Sequence, residues 1–358
     1  MKIKTFLSAS LLMILFFMSC KKEEKKDFSE QPFSPTPVTI EIPRGFPQMP
    51  IPADNPFTKE GIELGRHLFY ENSLSGDNTM SCGSCHRPSA GFSDSNRFSV
   101  GIDNIRGVRQ SMPIMNIAWA NRYFWDGRAM TLEEQIIDPV ENPIELHETW
   151  KNAMTKLQGI PKYREMFKKA FNIDEIDSLH ATKALAQFMR TMISGESKFD
   201  QVARNLARLT PSEENGKALF ETEAGADCFH CHAGILFTDF SIRNNGLNPT
   251  HTDNGFGNVT GNPADNGKFK APSLRNLVFT APYMHNGKFS TIDEVIDFYS
   301  SGLHASSPNI DIFMKKAPAG GVQLNILEKQ DLKAFLLALT DSSFITNPDF
   351  QDPNGIIK

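Results

Sequence analysis

Two stretches of the chain share one five-residue pattern, Cys82-Gly-Ser-Cys85-His86 and Cys228-Phe-His-Cys231-His232. Paired thiols followed at once by an imidazole can do three kinds of chemistry. They can cycle as a redox dithiol, or they can supply half of a zinc site. They can also form thioethers to the vinyl groups of a haem, with the histidine as fifth ligand of its iron. Use of the whole pattern twice, behind an export-type leader, points to the third: c-type attachment of two haems. The chain has five cysteines, and the one outside these motifs is Cys20.

The 358 residues suffice for about two domains and a leader. A hydrophobic fraction of 40% with 22% charged residues suits a globular protein with its own core. The net charge of −5 gives no case for nucleic acid, which is bound through clustered cations. Met1 to Lys4 is a short positive stretch, and Thr5 to Met18 is an apolar run too short to span a bilayer unaided, which takes ~20 residues. Ser19-Cys20 then resembles a lipoprotein processing site, with Cys20 acylated; Phe17 and Met18 fit that pattern loosely, and a plain cleaved signal also fits. Residues 1–20 are therefore expected as signal peptide and 21–52 as a charged, then Pro-rich, tether. The expectation is an exported protein, periplasmic or anchored at the outer membrane, touching the membrane only through its N-terminal lipid. Export suits the cysteine motifs, because bacteria attach c-type haem outside the cytoplasm.

The elements that must position the motifs repeat as well. A threonine, Thr58 or Thr210, begins a helix carrying Gly-x-x-Leu-Phe, at Gly65 to Phe69 and at Gly216 to Phe220, and a loop then delivers the cysteines. Capping boxes start further helices at Thr131/Glu134, Thr291/Glu294 and Asn325/Glu328. From Asp177 the stripe Leu185, Phe188, Met189 and Met192 predicts a long helix ending near Gly195. Strand-like alternation is scarce. The expected fold is mainly α: two cytochrome-c-like haem domains with long loops, at 53–207 and 208–345, the boundary near Leu206 to Thr210, and a tail at 346–358.

From about Pro52 to Leu339 the chain resembles the bacterial di-haem cytochrome c peroxidases and the related MauG proteins. The residues that carry this are Glu63-Leu-Gly-Arg-His-Leu-Phe69, both haem motifs, Phe124-Trp125-Asp126-Gly127-Arg128-Ala129 and Asn142-Pro143-Ile144-Glu145. Ala271-Pro272-Ser273-Leu274-Arg275-Asn276 and Thr280-Ala-Pro282-Tyr-Met-His285-Asn-Gly287 complete the set. The resemblance implies reduction of hydrogen peroxide at the first haem, with electrons relayed through the second from cytochrome c or a cupredoxin. It makes Glu145 the catalytic acid/base, with Gln135 in the same pocket, and Trp125 the link between the haems. Arg128 and Arg275 become partners for haem propionates, with structural ion pairs as the alternative for both.

The resemblance also implies a calcium ion at Gln110, Thr280 and Pro282, the family's usual Asn being Gln110 here, and it allows a homodimer. It predicts Tyr299 as sixth ligand of the second iron, where most members carry methionine; Met284 or Met314 is the alternative. Family peroxidases often hold a histidine over the first haem, from the loop that follows its motif. No histidine occurs from Arg87 to Leu146, which predicts an open iron face. Tyr299 and that missing histidine lean towards a second activity, MauG-like oxidation of residues on a partner protein through a high-valent iron pair. A non-catalytic di-haem electron carrier is the third. His67, His147, His180, His251 and His304 are expected as surface or packed residues, His230 as a bystander and His285 as structural.

Overall fold

Threonine caps start the helices that frame both cysteine motifs. Thr58 accepts a hydrogen bond from the Gly61 amide at the head of the Lys59–Phe69 helix, and Thr210 with Glu213 forms a reciprocal capping box on Pro211–Phe220. The computed structural model describes residues 33–355. The leader, Cys20 and the first part of the tether lie outside the described residues. The chain is mainly helical. Its only strands among the described residues are the two-residue pair Ile242–Arg243 and Phe269–Lys270, which run antiparallel.

Lys59–Phe69 packs along Ser178–Arg190, and Pro211–Phe220 packs along Ile326–Leu337. Both crossings turn on the repeated glycine. A Cβ at Gly65 would overlap the Ala184 carbonyl, and one at Gly216 would overlap that of Asp331. The repeat continues beyond what the sequence shows by eye, at a constant offset. Asn116 and Asn276 take the left-handed conformation, at φ of 55° and 60°, and open the short 3-10 turns Ile117–Trp119 and Leu277–Phe279. Tyr123 pairs with Ala129 as Tyr283 pairs with Phe289. Capping boxes at Thr131 and Thr291 then launch Leu132–Glu141 and Ile292–Ser301.

From Pro35 onward the described residues form one compact unit containing two main apolar clusters. One gathers Leu64, Leu68, Phe69, Phe92, Leu185 and Phe188; the other gathers Phe220, Phe237, Ile296, Leu332, Phe335 and Leu339. The chain end, expected as a tail, returns to the first cluster. Phe344 and Phe350 are buried there, and the Tyr70 hydroxyl donates to the Phe350 carbonyl. Two further differences from the sequence expectation concern helices. Ser178–Arg190 stops before Met192, because Asn116 draws the chain away through hydrogen bonds with Ser194 and the Met192 carbonyl. Trp150–Gln158 and Pro161–Phe171 are additional helices, signalled only by Thr149 as cap and by Pro161 at the first helical position. Among the described residues no helix is long and apolar enough to cross a membrane.

Candidate active site

Each cysteine motif opens into its own cavity. The first holds about 800 Å³ and is lined by Cys82, Cys85, His86, Gln135 and Glu145, a size typical of cofactor pockets. The second is a narrower slot of about 220 Å³, lined by Cys228, Cys231, His232 and Tyr299.

The donor sets discriminate among the three chemistries open to the motifs. Burial pushes the Cys82 thiol up to about 12 and Cys85 to about 11, and both Cys228 and Cys231 to about 12. A redox dithiol requires the opposite shift, towards thiolate. No group of three or more Cys, His, Asp or Glu residues arranged to hold a metal ion occurs among the described residues, against four ligands in a structural zinc site. The histidines suit axial ligation of a haem iron. His86 Nδ1 lies 3.0 Å from the Phe92 carbonyl, and His232 Nδ1 lies 3.1 Å from that of Pro272. Each contact fixes Nδ1 as the donor and leaves Nε2 its lone pair. Burial lowers both imidazole pKa values, which keeps them neutral. The residues present thus fit a porphyrin in each cavity.

Glu145 brings acid–base chemistry to the first cavity. Burial, then the charge of Asp138, raises its pKa to about 7, against the weaker pull of Arg128 and Asn142. Asn142 Nδ2 donates to Glu145 Oε1 at 2.9 Å and fixes the carboxyl group. Gln135 lines the same cavity from the Leu132–Glu141 helix. The histidines of this cavity are His86 and His285; none comes from the loop after the motif. At the position that holds Tyr299 in the second half, the repeat places Pro139, which has no donor atom in its side chain.

The cavities share a wall. Gln110, Pro113 and Trp125 from the first half, and Lys270, Pro272, Ser273 and His285 from the second, line both. This wall has the symmetry of the repeat. The Gln110 amide donates to the His285 carbonyl at 2.8 Å, and the Lys270 amide donates to the Trp125 carbonyl at 2.7 Å. Trp125 is buried, its indole NH held by the Gln110 carbonyl at 2.7 Å. His285, expected as structural, is the counterpart of Trp125 and packs edge-on against it at 6.4 Å while stacking on Phe269 at 3.6 Å. Only the tertiary repeat reveals that role.

Tyr299 lines the second cavity, as do Met284 and Met314. Asn245 Nδ2 donates to the Tyr299 hydroxyl at 2.8 Å and lies 3.7 Å from the Met284 sulfur. Burial pushes the phenol pKa up, and the Asn245 hydrogen bond opposes that shift. Gln110, Thr280 and Pro282 all line this cavity too. The Gln110 amide nitrogen is bonded to Ser93 Oγ and the Asp94 carbonyl, which leaves the amide oxygen for a hard cation.

The arginines depart from expectation. Arg275 lines neither cavity; it is fully buried and grips Asp200 through two contacts of 2.8 Å, so it is a structural ion pair and no partner for a propionate. Its guanidinium also donates to the Ile235 carbonyl. Arg128 does line the first cavity, but it stacks on Phe124 and pairs with Asp126 and Asp138.

Comparison with known proteins gives a consistent result. The family profile described as di-haem cytochrome c peroxidase matches residues 59–208. The chain is similar to the cytochrome-c peroxidase IdrP1 of Pseudomonas sp. strain SCT, with 34% identity over 85% of this chain and 86% of that one. It is similar also to the methylamine utilization protein MauG of Methylorubrum extorquens, with 35% identity over 90% and 89% of the two chains. Among solved structures, a MauG-like protein associated with microbial copper homeostasis superposes with a TM-score of 0.82 at 32% identity, covering 88% of this chain and 99% of that chain.

Proposed function

Because the chain belongs to the di-haem cytochrome c peroxidase and MauG family, we propose that it reduces hydrogen peroxide to water with electrons from a small redox protein, cytochrome c or a cupredoxin. One observation carries the reading: a carboxyl group whose pKa lies at about 7 shares the spacious first cavity with Cys82, Cys85 and His86. A haem held there would supply the iron at which peroxide binds and receives the electrons of its reduction. Glu145, positioned by Asn142, accepts the proton of the incoming oxygen and returns it to the departing one, work suited to a pKa near the working pH. Gln135 contributes a neutral amide to the same space. Trp125, packed against His285 in the shared wall, carries electrons between the halves.

Both haems are held by thioethers, at Cys82/Cys85 and Cys228/Cys231, each in a cytochrome-c-like half. His86 and His232 would hold the two irons, and Tyr299 would be a further ligand of the second. Calcium sits at Gln110, Thr280 and Pro282. The protein is exported and held at the membrane by Cys20, and it pairs as a homodimer. The haem motifs support the export reading, the shared cavity position of the three residues supports calcium, and family membership supports the redox partner.

Steady-state oxidation of reduced cytochrome c by peroxide tests the proposal. Rapid turnover is the expected result. A long-lived oxidised protein with negligible turnover would mark MauG-like oxidation of a partner protein instead, and inertness to peroxide would mark an electron carrier.

A further inference from the structure

Lys270 is a cation in a wall that offers it no anion. It lines both cavities and is only 6% exposed. Its ammonium donates to one group, the Arg122 carbonyl at 3.0 Å, and forms no ion pair among the described residues. The carboxylate whose field reaches it, Asp126, is already held by Arg109 at 2.6 Å and by Arg128 at 3.1 Å. The other cations of the first cavity are answered differently. Arg109 has Asp253 besides Asp126, Arg128 has Asp138, and Arg97 is exposed to water.

The fold does not require a charge at this position. Gln110 occupies the equivalent place in the first half and makes the equivalent backbone hydrogen bond with a neutral side chain. A buried ammonium without a counter-ion is strongly unfavourable, so its presence implies a negative group brought by whatever fills the cavity. Tyr123, whose ring centre lies 5.9 Å from Lys270 Nζ, lines the first cavity and not the second. That places the ammonium towards the first.

We propose that Lys270 Nζ binds a propionate carboxylate of the haem in the first cavity, the role that the sequence suggested for Arg275. This rests on the di-haem reading above. Burial draws the Lys270 pKa down to about 8, so the side chain remains largely cationic at neutral pH, and a carboxylate partner would hold it so. A fixed positive charge beside a porphyrin favours the reduced iron.

The test compares purified wild-type holoprotein with Lys270→Gln, which installs the side chain used by the first half, and Lys270→Arg. Intact mass gives the haem count, spectroelectrochemical titration gives each midpoint potential, and infrared spectra of haem labelled with ¹³C at the propionates report the carboxylate itself. The expected result is two haems in every variant. The first-haem potential falls in Lys270→Gln and is restored in Lys270→Arg, with the labelled carboxylate band displaced in Lys270→Gln. Two haems with an unmoved first-haem potential and band, or a shift confined to the second haem, would overturn the pairing and leave the di-haem reading standing. Should Lys270→Gln fail to accumulate, Lys270→Met, which likewise removes the charge, takes its place: the labelled band must be displaced and the first-haem potential must fall, and an unmoved band overturns the pairing. Wild-type protein without a first haem would overturn the di-haem reading as well.

Discussion

The two halves share one frame and differ where side chains meet the cavities. The frame repeats down to the left-handed Asn116 and Asn276, the hairpin glycines Gly127 and Gly287 with φ of 67° and 58°, and the capping boxes at Thr131 and Thr291. The chemistry does not repeat. Gln135 is answered by Val295, Pro139 by Tyr299, Trp125 by His285 and Gln110 by Lys270. The first cavity is wide and carries an acid; the second is narrow and faces a phenol with its own amide partner. The repeated frame thus carries two pockets, and a few differing side chains, on helices and on loops, set them apart; under the proposed function one serves as reaction chamber and the other as relay.

The sharpest way to break this comparison is to remove one pair of cysteines at a time. Cys82→Ser with Cys85→Ser should lower the intact mass by one haem and abolish the reaction with peroxide. Cys228→Ser with Cys231→Ser should cost the same mass, yet leave peroxide binding at the first site while ending turnover with an external donor. Equal loss of peroxide binding in both would show that the halves are not specialised. Next in size, Glu145→Gln should slow the peroxide reaction about 10²- to 10⁴-fold in stopped-flow measurements with haem content unchanged.

The shared frame itself is tested by Gly65→Ala and Gly216→Ala. Both place a methyl group against a backbone carbonyl, and each should cost about 1–3 kcal/mol in chemical denaturation. A large effect at one site alone would deny the equivalence of the crossings. Tyr299→Phe should change the absorption spectrum and potential of the second haem and leave the first unaltered.

The smallest effect is a pH shift. Glu145 must begin as a carboxylate to accept a proton, and its pKa is about 7. The peroxide rate should therefore rise with pH through that value. Asp138 raises this pKa by its charge, so Asp138→Asn should move the midpoint to lower pH, by less than about one unit. A midpoint that stays in place would remove Asp138 from the balance.

Local signals were legible in the sequence, and long-range ones were not. The cysteine motifs, the Thr58 and Thr210 caps and the capping boxes depend on residues a few positions apart, so their chemistry can be seen in one dimension. Glu145 was located through its resemblance motif, but its raised pKa comes from a cavity assembled by several segments. Arg275 was misplaced because its partner, Asp200, lies far back in the chain and nothing in the intervening sequence announces the pair. Lys270 and His285 matter because the repeat brings them to a wall shared with Gln110 and Trp125. That wall joins segments far apart in sequence, beyond the reach of any window of periodicity.

Phe344 and Phe350 close over Phe92 and belong to the same apolar cluster as Leu64 and Phe69. A chain emerging from its amino terminus cannot finish that interior until Phe344 and Phe350 have been delivered. The half that begins first is thus closed by residues that follow the whole second half, and the haem proposed for Cys82 and Cys85 would have that interval in which to enter.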